Sequence, residues 1–194
     1  DLKAQLIVTT DKVYKNISKT TGYLETDALG GQDPYSASKA MADIAAQSWI
    51  SSFKNPPTAI ARAGNVIGGG DWSEDRLIPD IVRAAQKNEN VTLRNPNAVR
   101  PWQHVFDPLN GYLMLAERLV TDGEAFAEAW NFGPEEFDAR SVSWVVEQLC
   151  KKVPHARWAL EGTPQPHEAN LLKLDSSKAK NRLGWVPRWT LETA

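Results

Sequence analysis

Apolar and polar positions alternate along this chain in blocks that switch between strand-like runs and helix-spaced stripes. Residues 6–9 form a short apolar run rich in β-branched side chains, which predicts a central parallel strand. A polar loop continues to Gln32. Asp33-Pro34 then supplies an N-cap and a proline at the first helical position, predicting a helix over about residues 35–53. Ala37, Ala40, Met41, Ile44, Ala45, Ser48 and Trp49 give that helix a stripe of small and apolar residues suited to close packing. Asn55-Pro56-Pro57 ends it, and residues 58–61 read as the next buried strand. Strand, helix and strand in this order imply a βαβ unit and a parallel sheet.

The later pattern is less regular. A Gly-rich loop at 64–71 leads to a helix over 78–87 with Pro79 in its first turn, and then to a short strand at 91–93. Asp107-Pro108 repeats the cap-plus-proline signature and predicts a helix through about Val120. Trp130-Asn131-Phe132 is strand-like, and Ser141 caps a helix running to about Lys152. Residues 171–174 are a further strand candidate, and Asp175 or Ser176 caps a short helix that Gly184 ends.

The expected fold class is α/β: a partial Rossmann-type parallel sheet over residues 1–66, with a smaller mixed α/β substrate-binding region over 67–194. Some segments of that second part are expected to return to the sheet. The chain opens without Met on a strand and stops as another helix begins, so it reads as the C-terminal piece of a longer protein. No Gly-x-x-Gly-x-x-Gly or Gly-x-Gly-x-x-Gly run occurs, so the N-terminal half that would hold a dinucleotide pyrophosphate is expected to be missing.

Composition narrows the class. The 194 residues are 42% hydrophobic and 24% charged with a formal net charge of −2, an ordinary globular balance that argues against a polymeric nucleic-acid binder. One cysteine, Cys150, excludes a disulfide framework and makes a reducing compartment, the cytoplasm, the expected location. No apolar run reaches the ~20 residues of a membrane span. The three histidines and the lone cysteine show no ligand spacing, so no metal is expected.

Chemistry concentrates early. Tyr35 and Lys39 stand four apart at a helix start and so share one face. A phenol titrates near ~10 and becomes a base at neutral pH only beside a cation, which Lys39 would supply with help from the helix N-terminus. Taken alone, the pair is equally an exposed helix with a chance Tyr and Lys. Thr10-Asp11-Lys12 follow the first strand, where open parallel sheets place ligands, and offer a hydroxyl, a carboxyl and an amine to a site that moves protons. Gly68-Gly69-Gly70 lacks the Gly-Lys-Ser/Thr of a P-loop and instead lets a nucleotide approach the backbone.

With these motifs the chain resembles the extended short-chain dehydrogenases that act on nucleotide sugars. The likeness rests on Thr10-Asp11-Lys12, the Tyr35/Lys39 pair and the run from Ala61 through Trp72. Lys12 stands where sugar dehydratases of this family usually carry Glu, a departure that resembles the CDP-glucose 4,6-dehydratases. So do Asp75-Arg76-Leu77-Ile78-Pro79-Asp80, Arg100-Pro101-Trp102-Gln103-His104-Val105 and Pro166-His167-Glu168-Ala169.

The resemblance implies NAD as cofactor and a small nucleotide sugar as substrate. Tyr35 would take the 4-hydroxyl proton, Thr10 would hydrogen-bond that hydroxyl, and Lys39 would bind the cofactor ribose and tune Tyr35. Asp11 would protonate the leaving 6-hydroxyl, and Lys12, as base at C-5, would have to act as a neutral amine. Arg62 is assigned to the cofactor, and Asn65, Arg76, Arg100, His104 and His167 to the substrate. Arg76 reads equally as a surface charge and His104 as a packing histidine. Most tryptophans read as core, with Trp72 and Trp102 the two beside the candidate arginines. The helix after Tyr35 also resembles a family dimerisation helix, implying a homodimer of the full-length enzyme. A nucleotide-sugar epimerase, which needs no elimination groups at Asp11 and Lys12, and a non-catalytic nucleotide-sugar-binding remnant are the alternatives.

Overall fold

A computed structural model describes residues 1–161 and 171–194. Its main sheet has the order β1 (Gln5–Val8), β2 (Thr58–Ala63) and β7 (Ala129–Phe132), all parallel. Between β1 and β2 runs α1 (Pro34–Ser52), whose N-cap Asp33 accepts a hydrogen bond from the Ser36 amide, with Pro34 in the first turn. The strand–helix–strand reading of the sequence is what forms.

Every residue of β2 is buried. Alternation sends Ala59, Ala61 and Ala63 to one face, where they pack with Leu115, Leu119, Phe126, Trp130, Phe132 and Trp185. Small alanines let α3 (Phe106–Asp122) lie close on that face. Arg62 goes to the other face, against Asp43 of α1.

The remaining elements build a second region from small sheets: β3 (Val66–Ile67) with β6 (Gln103–His104), β4 (Asn90–Leu93) with β9 (Arg157–Leu160), and β5 (Val99–Pro101) with β8 (Ala139–Ser141). Between them α2 (Leu77–Gln86) and α4 (Val142–Lys152) close around Ile81, Ala85, Val91, Leu93, Val146 and Ala156. Ser141 caps α4 through the Trp144 amide, as its position predicts. Gly184, at φ 69°, ends a one-turn π-helix over Ala179–Leu183.

Three expectations change. Asp107 does not cap α3: Val105 is the N-cap, and the buried Asp107 carboxylate accepts from the Arg188 and Trp189 amides at 2.9 and 3.2 Å, pinning a distant segment. The 171–174 strand reduces to isolated bridges at Leu171 and Leu174. The apolar stripe of α1 is not packed inward. Met41, Ile44 and Trp49 are 64, 54 and 44% exposed, while Ser36, Ala40, Asp43 and Ala46 are the buried positions. No described helix is long and apolar enough to cross a membrane.

Candidate active site

A cavity of about 1230 Å³ opens at the C-terminal ends of β1 and β2. It gathers Thr10, Asp11, Lys12, Tyr35, Asn65, Arg76 and Arg100, drawn from five separate places in the sequence. Ligands of parallel sheets bind at this end because the strand termini leave loops and helix starts facing one crevice.

Thr10 leaves β1 in extended conformation and caps a single 3-10 turn over Asp11–Val13. Its hydroxyl accepts from the Lys12 amide at 3.3 Å and donates to Asp11 Oδ1 at 2.9 Å. That turn buries the Asp11 carboxyl, which is 2% exposed, and leaves Oδ2 without a hydrogen-bond partner. Burial pushes Asp11 up to about 6, against the opposing pull of the Thr10 hydroxyl and the charges of Lys12 and Arg100. Gly64 is what makes room: a Cβ there would stand 2.5 Å from Pro101 Cγ and 3.1 Å from Asp11 Oδ2. A carboxylic acid that holds its proton near neutrality, at a cavity wall, can donate that proton to a leaving group.

Tyr35 lies in the first turn of α1, half exposed to the cavity. Two ammonium groups flank its ring, Lys12 Nζ at 5.7 Å and Lys39 Nζ at 5.9 Å from the centroid. Lys39 comes from the next helical turn and Lys12 from the turn after β1. The sequence pairs Tyr35 with Lys39 alone; the second cation is a product of the fold.

The other site residues divide. Asn65 and Arg100 line the cavity, Arg100 almost fully buried, with one guanidinium nitrogen donating to the Val99 carbonyl at 3.0 Å. Arg76 also lines it, exposed and 3.7 Å from Asp71. His104 is not among the lining residues: its ring stacks on Trp189 at 4.4 Å and meets Phe106 edge-on. Among the tryptophans Trp72 and Trp102 line the cavity, and Trp102 is buried with its indole donating to the Arg140 carbonyl. His167 lies outside the described residues.

Arg62 is placed differently from its expected cofactor role. It is fully buried, with Nε and one terminal nitrogen on the two Asp43 oxygens at 2.8 and 2.6 Å. Its other nitrogen donates to the Tyr14 hydroxyl and the Glu25 carbonyl. A guanidinium with its donors spent inside the core is an anchor for α1, not a ligand contact.

Tyr112 of α3 is a cavity residue that sequence reasoning missed. Nothing in the helical pattern marks it, because it sits among apolar positions of α3 and its relation to Asp11 arises only when α3 folds against the sheet. Among the described residues no group of three His, Cys, Asp or Glu side chains could hold a metal.

Comparison with known proteins follows the same lines. A CDP-glucose 4,6-dehydratase of Salmonella typhimurium is 48% identical over 98% of this chain and 56% of its own length. A dTDP-glucose 4,6-dehydratase of Xanthomonas campestris pv. campestris is 28% identical over 96% of this chain and 54% of its own. The chain thus spans about half the length of the curated relatives it matches. Among solved structures, a dTDP-glucose 4,6-dehydratase from Bacillus anthracis in complex with NAD superposes with a TM-score of 0.77 at 27% identity, covering 97% of this chain and 58% of that one. A UDP-glucuronic acid 4-epimerase from Bacillus cereus shares the fold, with a TM-score of 0.84 at 20% identity over 99% of this chain and 59% of that one. Residues 3–194 match the GDP-mannose 4,6 dehydratase family throughout, and the chain belongs to that family.

Proposed function

We propose that these residues form the proton-transfer half of an NAD-dependent nucleotide-sugar 4,6-dehydratase acting on CDP-glucose. The observation that carries this reading is the buried Asp11 carboxyl, raised to about 6 beside a phenol flanked by two ammonium groups. A 4-epimerase needs the phenol and its cations but has no leaving hydroxyl to protonate, so a wall-mounted acid favours elimination.

On this reading Tyr35 takes the proton of the hexose 4-hydroxyl, with Lys39, one turn along α1, as the cation beside its ring. Thr10, with its own proton engaged by Asp11, accepts a hydrogen bond from the sugar and holds the acid in place. Asp11 protonates the departing 6-hydroxyl. Lys12, where the family usually carries Glu, serves as base at C-5 in its neutral amine form. Asn65, Arg76 and Arg100 face the substrate diphosphate, with Arg100 the buried one of the two guanidinium groups. The exposed Tyr35 edge and Lys39, at the end of a parallel sheet, fit the ribose of NAD. When bound, NAD supplies the hydride acceptor for C-4 and returns that hydride at C-6.

No glycine-rich pyrophosphate loop occurs among these 194 residues, so we infer that turnover needs a dinucleotide-binding half beyond them, one that adds strands at the outer edge of β1, which is unpaired among the described residues. The test is to supply CDP-glucose and NAD to a polypeptide carrying both halves and follow the product by NMR. Formation of the 4-keto-6-deoxy sugar nucleotide is expected. A 4-epimer, or CDP binding without any turnover, would replace this reading with one of its rivals.

A homodimer is proposed on the exposed face of α1, where Met41, Ile44, Ala45, Ser48 and Trp49 recur at helical spacing and the Trp49 ring meets Phe53 at a tilt, 4.4 Å between centroids. Met41→Lys with Trp49→Glu should convert the dimer to monomer in sedimentation velocity and leave Tyr35 chemistry in place. The lone thiol of Cys150 supports a reducing, cytoplasmic setting.

A further inference from the structure

The large cavity holds a second hydroxyl that the proposed mechanism does not use. We infer that the Tyr112 hydroxyl donates a hydrogen bond to the same hexose oxygen that Asp11 protonates, making it a substrate-contacting residue of the elimination step. This inference rests on the dehydratase reading and extends it.

Three observations meet at this point. The Tyr112 ring is fixed: it meets Phe132 edge-on, with centroids 5.4 Å apart, and packs on the core between α3 and the sheet. Its side chain lines the cavity shared by Thr10, Asp11 and Tyr35, and its hydroxyl has no protein partner among the described residues. Asp11 Oδ2, on the same cavity wall, is buried and lacks a partner as well. A buried carboxyl oxygen without a donor is costly to keep, so the group that completes it arrives with a ligand. Both residues line one cavity, and they are close enough for the Asp11 charge to act on the phenol, so a ligand oxygen bound there can meet both.

The phenol is suited to donate rather than to ionise. Burial first, and then the Asp11 charge, push Tyr112 up to about 12, so it remains a neutral O–H across the working range of pH. That separates it from Tyr35, which has two lysines over its ring and which the proposed mechanism uses to accept a proton. One cavity therefore carries two tyrosines with opposite electrostatic surroundings, and opposite roles follow.

With C-4 already oxidised, the C-5–H bond breaks and its proton goes to Lys12, which must enter this step as a neutral amine. The electron pair forms the C-5=C-6 double bond, the C-6–O bond breaks, and the oxygen leaves as water with the proton of Asp11. Negative charge grows on that oxygen before the proton arrives. A fixed neutral donor aimed at it stabilises the transition state more than the ground state.

The test is Tyr112→Phe in a polypeptide that carries a dinucleotide-binding half, because phenylalanine keeps the ring on Phe132 and removes the donor alone. Single-turnover NADH formation, which reports C-4 oxidation, should keep its wild-type rate. Release of water should slow about 10- to 100-fold, with KM little changed, so that NADH and the 4-keto hexose accumulate. Unchanged water loss would overturn the inference, as would an equal slowing of both steps, since that marks a packing defect. A wild-type protein that forms no 4-keto-6-deoxy product would instead remove the dehydratase reading on which the inference stands.

Discussion

On the proposed dehydratase reading, Asp11→Asn should slow water elimination about 100- to 1,000-fold while making the protein more stable above neutral pH. The two effects have one cause. In the folded chain Asp11 is buried and its carboxyl is raised to about 6 from an ordinary value of 3.8. Between those values the folded state holds a proton that the unfolded chain has released, so stability falls as pH rises through this window. Above pH 6 the folded protein carries a buried anion at a cost on the order of 2–3 kcal/mol relative to a site with an ordinary value. Asparagine keeps the shape and the acceptor for Thr10, never ionises, and removes that loss. It also has no proton to give. Turnover should fall about 100- to 1,000-fold, in the range that general-acid catalysis contributes.

The pH profile separates this from a general disturbance. Asp11 donates in its protonated form, so kcat/KM for elimination should decline along an alkaline limb beginning near pH 6, and the small residual rate of Asp11→Asn should lack that limb. Thermal unfolding at pH 4 and pH 8 should show the variant close to wild type at the lower pH and stabilised at the higher. Equal melting behaviour at both, with turnover intact, would leave Asp11 as a buried structural acid and return the epimerase reading to first place.

Much of this arrangement was legible in the chain because it is local. Asp33-Pro34 and Ser141 cap their helices through bonds that span three residues, and the 58–61 run is apolar enough to mark a buried strand. Tyr35 and Lys39 share a face by helical geometry alone. What escaped sequence reasoning is non-local. Asp107-Pro108 carries the same two-residue signal as Asp33-Pro34, yet its carboxylate was claimed by amides some 80 residues away. The α1 stripe has a core-like spacing, but a periodicity says which positions share a face and not which face turns inward. Here Asp43, an acid, faces in, since Arg62, Thr9 and Gln47 satisfy it from three directions. Nor does a sequence assign Lys12 to the ring of Tyr35, because β1 and α1 must first dock.

Breaking that buried pair is the largest stability effect expected in the molecule. Asp43 and Arg62 are both fully buried, joined by two hydrogen bonds at 2.6 and 2.8 Å, and held from outside by Thr9, Gln47 and Tyr14. Arg62 holds the Asp43 carboxyl below the usual carboxylate range despite the cost of burial, so both partners stay charged throughout neutral pH. Arg62→Met strands the Asp43 carboxylate, and Asp43→Leu strands the guanidinium; each should cost about 3–5 kcal/mol in urea unfolding. The double variant removes both charges together and should lose far less than the sum, giving a coupling of at least about 2 kcal/mol. Strict additivity would mean that the two groups do not depend on each other. The consequence reaches the site, because Asp43 lies one turn beyond Lys39 on α1, and Thr9 immediately precedes Thr10. The pair fixes the helix that carries Tyr35 against the strand that carries Asp11. A double variant that regains stability yet stays slow in C-4 oxidation would locate the value of this ion pair in alignment rather than in folding free energy.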